Sequence, residues 1–274
     1  MIMESQDMNL TTVRQERSYL SCLSLGWQTA MNNIGLLLRY AWPSMLFTLI
    51  LPLPGILFFQ GQVDALLCRW IELGYVPSAT ASSLRRDILY RTGRNAWLLV
   101  LGIVLCLLLG VVCYTLLRTG HSIWWYWGIC AILVLLLLPV EVCAMELSYT
   151  HKPLAECLRG FGVGCRHYGT LFVFEIVGII FVGIGMLLGS MPLLAVSAAG
   201  QQSMQAHAMG DAIDLPVLFP VVAFLAYAIY MFVFLLCHFI YSFWHCLLWG
   251  SMMAREDGRK KQDEAFGISA GGAV

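Results

Sequence analysis

The chain has 274 residues, of which 59% are apolar and 12% charged, and its 16 Lys and Arg balance its 16 Asp and Glu. Ordinary soluble domains are about 45 to 50% apolar and about 25% charged, so this composition is typical of a membrane protein. Zero net charge argues against a nucleic-acid partner, because phosphate binding needs a surplus of basic residues. The N-terminus lacks the basic segment and short apolar core of a secretory signal, so we expect internal apolar segments to direct insertion.

The first apolar region contains a helix-breaking sequence, Leu51-Pro52-Leu53-Pro54-Gly55. Proline removes a backbone donor and restrains the residue before it, which disfavours one continuous helix. A turn there predicts a hairpin of two segments, 33–51 and 53–73. The second segment is polar for a span, since it contains Gln60, Gln62, Asp64, Arg69 and Glu72. A single span over 40–59, a short span, a re-entrant helix and an interfacial amphipathic helix are the alternatives.

Four later apolar runs approach the length of about twenty residues that a membrane-spanning helix needs. They are 96–117, 123–142, 170–191 and 215–236. The first two are joined by only five residues, which predicts a tight helical hairpin. The last two are joined by a polar segment, 192–214, without Lys or Arg. We expect that segment to be a loop outside the cytoplasm.

The basic residues indicate which face is cytoplasmic. Most of them fall in the N-terminal tail and in three patches, 69–94, 152–166 and 255–261. Loops rich in Lys and Arg remain on the cytoplasmic side during insertion. Both termini are then cytoplasmic, which requires an even number of crossings and therefore favours the hairpin at Pro52.

Three stretches that lead into apolar runs resemble one another. They begin at Trp27, Leu89 and Phe161, and each changes from polar or basic to apolar near a small residue. The pattern predicts short amphipathic helices on the cytoplasmic face, each followed by a membrane span.

The stretches from Lys152 to Phe161, from Arg166 to Leu171 and from Trp27 to Leu38 carry a resemblance to a known family. They resemble the amphipathic leading helices of the YciC-like uncharacterised membrane proteins and of the membrane domain attached to some glycerophosphodiester phosphodiesterases. The likeness covers about a third of the chain. It implies a multi-pass membrane domain without an agreed activity, and it carries over no catalytic residue.

Glu141 and Glu175 are the ionisable residues that we expect at similar depth within the membrane. An ionisable group inside a membrane is a functional hypothesis by default, because its burial is unfavourable. Two facing carboxylates could share a proton or bind a cation. Alternatively, each could reach the interface or pair with a cation such as Arg39 or Arg166.

Arg39 and Asp64 are two further charges within apolar segments. Arg39 would cost roughly 2.5 to 3.5 kcal/mol at mid-membrane, so we expect its side chain to extend to the interface. Asp64 either lines a polar cavity or indicates that its segment does not cross. Arg39 completes the candidate polar site with Glu141 and Glu175.

His238 and His245 lie seven residues apart on one predicted helix. Their axial separation is about 10 Å, too far for both to bind one zinc ion at about 2 Å on an unbroken helix. We therefore predict no metal site from this pair and no cofactor. A proton relay with Tyr241 is one alternative, and hydrogen-bonded packing is the other.

Gly178, Gly185 and Gly189 form a stripe along one helical face. Small residues allow helix backbones to approach closely in lipid. The stripe predicts a helix-packing face within the chain, with a homodimer contact as the alternative. The ten cysteines contain no Cys-x-x-Cys and lie mostly in apolar runs, so we interpret them as buried apolar residues.

The sequence thus predicts an all-α protein, a polytopic transmembrane bundle of about six segments with cytoplasmic amphipathic helices. Residues 1–18 are predicted as a cytoplasmic tail, 19–254 as one transmembrane domain and 255–274 as a disordered tail. No catalytic motif is present, so we expect a non-enzymatic inner-membrane component that contacts the bilayer and an anionic lipid or protein partner at its cytoplasmic face. The alternative is a small-molecule or ion transporter that uses the intramembrane carboxylates. The oligomeric state stays open.

Overall fold

The computed structural model describes residues 13–73, 81–118, 123–150, 154–158, 160–210 and 215–265. Every regular element in these ranges is an α-helix, as the composition predicts. The helices in chain order are α1 (Tyr19–Asn32), α2 (Ile34–Ile50), α3 (Pro52–Leu73), α4 (Ala81–Arg118), α5 (Ile123–Tyr149), α6 (Leu154–Cys157), α7 (Gly160–Arg166), α8 (Tyr168–Ala208) and α9 (Phe219–Ala265).

Helices α8 and α9 are long and apolar enough to cross a membrane. Their exposed faces are apolar too: side chains such as Ile179, Leu187 and Phe224 are more than half exposed. Polar groups are meanwhile found in the interior, where Asp64 is 0% exposed. Apolar surfaces of this kind are rare on soluble monomers, and they support a membrane location.

The predicted hairpin at Pro52 is present as two packed helices. Helix α2 ends at Ile50, and α3 begins at Pro52, the first helical position that proline favours. Gly55 lies against the backbone of Thr48, and Ser44 donates a hydrogen bond of 2.6 Å to Gln62. Residues farther before the turn contact residues farther after it, so the two helices run antiparallel.

Helix α3 lies largely buried within the bundle, although its sequence is polar for a span. Eleven of its residues are buried, and it contacts α2, α4, α5 and α9. Asp64, Gln62 and Trp70 all lie in this covered part. An interfacial amphipathic helix would have one face in the headgroup region, so that alternative does not fit α3.

Helix α1 packs along the C-terminal half of α9. Gly26 lies against Trp244, and the Cys22 thiol lies 3.9 Å from the Leu247 carbonyl. Arg17, placed in the predicted tail, is also bound: its backbone N–H donates to Ser251 Oγ at 3.0 Å. The small residues of α1 allow this close packing, and the interfacial position of the helix stays a prediction.

The three similar stretches differ in the structure. Asn33 separates α1 from α2, and His167 separates α7 from α8, with nearly equal backbone angles (φ −104°, ψ 10° and φ −101°, ψ 19°). The third stretch has Asn95 at the corresponding position, but α4 continues through it without a break. Two of the three predicted leading helices are therefore separate helices, and the third is part of α4.

The glycine stripe packs α8 against α9 within one chain. A Cβ added at Gly178 would come within 2.2 Å of the Tyr241 ring, and one at Gly185 within 2.4 Å of the Cys237 sulfur. At Gly189 the nearest atom is Val233 Cβ, at 3.0 Å. The stripe is thus used as an intramolecular packing face.

Helices α8 and α9 extend beyond the predicted boundaries. Helix α8 continues through Pro192 to Ala208, where the sequence predicted a loop, and α9 continues through residues 255–265, which were predicted to be disordered. Pro192 is tolerated inside a long apolar helix whose other backbone groups remain paired. The loop carboxylates Asp211 and Asp214 and the tail 266–274 lie outside the described residues.

Seven cysteines have described side chains, and all seven are free thiols. Six of them are buried, and only Cys165 is exposed. For these positions, the interpretation as small buried apolar residues agrees with the structure. The side chains of Cys106, Cys113 and Cys130 lie outside the described part of the chain.

Gly55→Ala tests the α2–α3 hairpin. A Cβ there would lie 2.4 Å from Thr48 Cα, so the helices must separate. We expect a loss of about 1–3 kcal/mol, as for other overpacked sites, seen as a lower thermal midpoint in detergent. Gly35→Ala is the matched control, because no atom lies within 4 Å of its added Cβ. Equal midpoints for the two variants would contradict the hairpin packing.

Candidate functional site

Glu141, Glu175 and His245 come together from three different helices, α5, α8 and α9. His245 Nδ1 lies 3.5 Å from Glu141 Oε1, and His245 Nε2 lies 3.1 Å from Glu175 Oε1. One ligand atom from each residue lies within 4.8 Å of the other two. The side chains are 24%, 18% and 11% exposed in that order, so all three are largely covered. We call these three residues the carboxylate–imidazole site.

Tyr241 supports this site from one helical turn before His245. Its hydroxyl donates a hydrogen bond of 2.7 Å to Glu175 Oε2 and leaves Oε1 facing the imidazole. The Tyr241 ring can approach because residue 178, opposite it on α8, is glycine. The glycine stripe thus does more than pack two helices, since it also allows the hydroxyl to reach Glu175.

Aromatic rings enclose the imidazole of His245. The Phe174 ring lies edge-on at 5.2 Å between centroids, and the Tyr241 ring lies at 4.1 Å. Phe174 is itself fully buried. These two ring contacts restrict rotation of the imidazole and help to hold it beside the two carboxylates.

The two cations expected beside these carboxylates lie elsewhere. Arg39 is exposed on α2, and it makes no ion pair or hydrogen bond to Glu141 or Glu175 among the described side chains. Arg166 pairs instead with Glu256, at 2.8 Å. The structure therefore brings together two of the three residues of the predicted polar site, and His245 takes the place of Arg39.

From the sequence, His245 was considered as one of a pair with His238 and as part of a proton relay with Tyr241. Neither His245 nor Tyr241 was predicted to contact the glutamates. The two histidines have separate partners, since His238 Nε2 is hydrogen-bonded to Gln60 Oε1. The sequence feature that could have predicted these contacts is the glycine stripe, because it packs α8 against α9 in antiparallel orientation. That contact places Glu175, three residues before Gly178, opposite the turn that contains Tyr241 and His245.

Asp64 is at the centre of a second buried cluster, which we call the amide network (Asp64, Gln60, Asn95 and His238). Asn95 Nδ2 and Gln60 Nε2 each donate a hydrogen bond of 2.8 Å to a different Asp64 oxygen. Asp64 is thus fully buried among packed helices, and both of its carboxylate oxygens accept hydrogen bonds.

Glu256 gathers cations where α7, α8 and α9 meet. Besides Arg166, it lies 3.3 Å from Arg259 and 3.5 Å from His167 Nε2. Burial lowers the pKa of His167 below its ordinary value, while the carboxylate of Glu256 opposes that shift. A cavity of about 360 Å³ lies beside this cluster and is lined in part by Arg14, Glu146 and Lys260.

Two carboxylates beside one imidazole form a site for positive charge. Carboxylate oxygens and imidazole nitrogens bind protons and divalent metal ions. The enclosed position strengthens electrostatic interactions, because little water is present to screen them. The chemistry supported by this arrangement is reversible cation binding. None of the nucleophile-and-base pairings used in covalent catalysis lies among the described groups of the site.

Comparison with known proteins gave no match to a family model, a curated protein or a solved structure. The resemblance to the YciC-like proteins therefore remains a prediction from the leading helices.

His245→Ala tests whether the imidazole holds the two glutamates together. Its loss leaves two carboxylates facing each other, and removing one partner of a buried ion pair costs about 3–5 kcal/mol. We expect a marked fall in the thermal midpoint, and Glu175→Gln in the same chain should recover part of it. Strictly additive losses in this double-mutant cycle would contradict the contact. His207→Ala, at an exposed position, is the control.

Proposed function

We propose that this chain is a multi-pass protein of the cytoplasmic membrane that carries a cation across the bilayer and binds it at Glu141, Glu175 and His245. The observation that carries the proposal is the imidazole held between two carboxylates on three helices. Removing a carboxylate from water costs several kcal/mol, so two adjacent ones require positive charge. Ionisable residues within membrane helices mark ion pathways in many transporters.

The antiparallel packing supports six membrane segments, α2, α3, α4, α5, α8 and α9. The pairs α2–α3 and α8–α9 each reverse direction. The basic patches then lie on one side, together with both termini, as expected for cytoplasmic segments. Helix α9 has 47 residues and would be about 70 Å long, so its C-terminal part extends beyond the hydrocarbon layer.

A lipid-contacting role through the basic patches, the other function suggested by the sequence, has less support. Several of the arginines are engaged within the fold: Arg91 is 1% exposed and Arg17 is 9% exposed, while Arg69 pairs with Asp87 at 3.4 Å. A basic residue contributes about 1 kcal/mol at an anionic surface only when it lies near that surface. The exposed Arg86 and Lys261 remain available for such contacts.

Cation flux into proteoliposomes tests the proposal. The purified full-length chain would be reconstituted, and uptake of H⁺, Na⁺, Mn²⁺ and Zn²⁺ would be measured under an inward gradient of each. We expect flux of at least one cation, with Glu175→Gln and His245→Gln reduced to the level of protein-free vesicles. Glu264→Gln, an exposed carboxylate on α9, should keep wild-type flux. Flux of none of the four cations by the wild type would overturn the transport function.

Cysteine labelling in cells tests the proposed topology. In a Cys165→Ser background, Gln202→Cys near the end of α8 should react with a membrane-impermeant maleimide in intact spheroplasts, because α8 would end outside the cytoplasm. Gln262→Cys on α9 should react only after permeabilisation. Both positions are exposed, so accessibility to the reagent is decided by the membrane. Labelling of both before permeabilisation, or of neither, would contradict the topology.

A further inference from the structure

We propose that the cation bound at the carboxylate–imidazole site is a divalent first-row transition-metal ion, such as Zn²⁺ or Mn²⁺. This inference rests on the proposed function and names the cation. A metal ion that binds here displaces any proton that the two carboxylates share, and the pair then carries two negative charges, which one divalent ion neutralises. A single monovalent ion would leave one of those charges uncompensated within the bundle, where charge is costly.

The donor set selects among divalent ions. Mg²⁺ and Ca²⁺ prefer oxygen ligands alone, whereas imidazole suits Zn²⁺ and the other transition metals. Soft ions such as Cu⁺ favour thiolate, and no described cysteine belongs to this group of ligands. Two carboxylates and one histidine therefore indicate a borderline divalent metal.

The separations fit one shared ion after small adjustments. Two donors each about 2.1 Å from a metal lie about 3 to 3.5 Å apart at the usual angles. His245 Nε2 and Glu175 Oε1 are already 3.1 Å apart. All three donors lie within 4.8 Å of one another, but Glu141 faces Nδ1 at 3.5 Å, and one ion binds only one imidazole nitrogen, so the Glu141 side chain must turn toward Nε2. The flexible side chain of glutamate provides that movement.

The surrounding residues are those that a metal site requires. Tyr241 fixes the second oxygen of Glu175, as supporting hydrogen bonds do for metal-binding carboxylates. Phe174 packs edge-on against the imidazole. Three protein ligands leave a fourth position for water, which is typical of sites that exchange ligands and not of closed structural sites. A transported ion needs that exchange.

The amide network differs from the carboxylate–imidazole site in how its polar groups are paired. Asp64 is also a buried carboxylate, but each of its oxygens accepts a hydrogen bond from an amide. The His238 nitrogen is likewise bonded to Gln60. These groups satisfy one another, whereas Glu141 and Glu175 converge on one imidazole from two different helices. We therefore assign the metal to the carboxylate–imidazole site alone.

Isothermal titration with Zn²⁺ on the full-length chain in detergent tests the assignment. A Cys165→Ser background removes the thiol that is exposed among the described cysteines. We expect one ion per chain. Glu175→Gln and His245→Gln should weaken binding by more than about 100-fold, because each removes a ligand, and Tyr241→Phe should weaken it by about 10 to 100-fold, as loss of a supporting residue does. Glu264→Gln is the matched control and should bind as the parent does.

The outcomes separate this inference from the function on which it rests. Stoichiometric binding that disappears in the Glu175 and His245 variants supports the metal. Zn²⁺ binding unchanged in both variants, or no binding by the parent while proteoliposomes still carry H⁺ or Na⁺, overturns the metal and leaves transport intact. Where a ligand variant does not fold, Tyr241→Phe decides, because it retains both carboxylates and the imidazole. Unchanged affinity in that variant would contradict the site.

Discussion

Positive charge beside a buried carboxylate is the interaction on which the rest of this structure depends. A carboxylate removed from water loses several kcal/mol of hydration, and only a nearby cation or well-placed hydrogen-bond donors restore it. The chain meets this requirement in two ways. Each Asp64 oxygen accepts a hydrogen bond from an amide, whereas Glu141 and Glu175 lie beside His245, and we propose that a bound cation completes their stabilisation.

The packing of α8 on α9 follows from the same requirement. Glu175 reaches His245 and Tyr241 only because the two helices approach closely, and glycine at residue 178 permits that approach. Pro139 precedes Glu141 by two residues in α5, and Gly164 of α7 packs against the backbone carbonyl of Pro139. Both glutamates thus lie beside a glycine or proline at which helices approach closely, so helix packing also sets the geometry of the proposed cation site.

Much of the fold follows from apolar length and from local breaks. Features that belong to a single segment or to its surface can be predicted from the sequence. They include the runs of about twenty apolar residues, the break before Pro52 and the packing role of the glycines. Helix ends were harder to predict. Pro192 and the charged stretch after Arg255 both favour termination locally, yet the helices continue to Ala208 and Ala265.

The site was only partly predictable for a related reason. Depth within the membrane can be counted along the chain, so Glu141 and Glu175 could be paired. The rotation of one helix against another cannot be counted in this way, and it decides whether Arg39 or His245 faces the carboxylates. The burial of Arg91 and Arg17 could not be predicted from the sequence either. A basic residue beside a span can orient the chain in the membrane and still pack in the interior of the protein.

X-ray absorption at the zinc edge is the most direct test of the central claim that Glu141, Glu175 and His245 form a cation site. The measurement would use the full-length Cys165→Ser protein loaded with Zn²⁺. We predict oxygen and nitrogen ligands at about 2.0 to 2.2 Å, including one imidazole, and loss of this signal in Glu175→Gln. A sulfur shell at about 2.3 Å, or a spectrum unchanged in Glu175→Gln, would contradict the account.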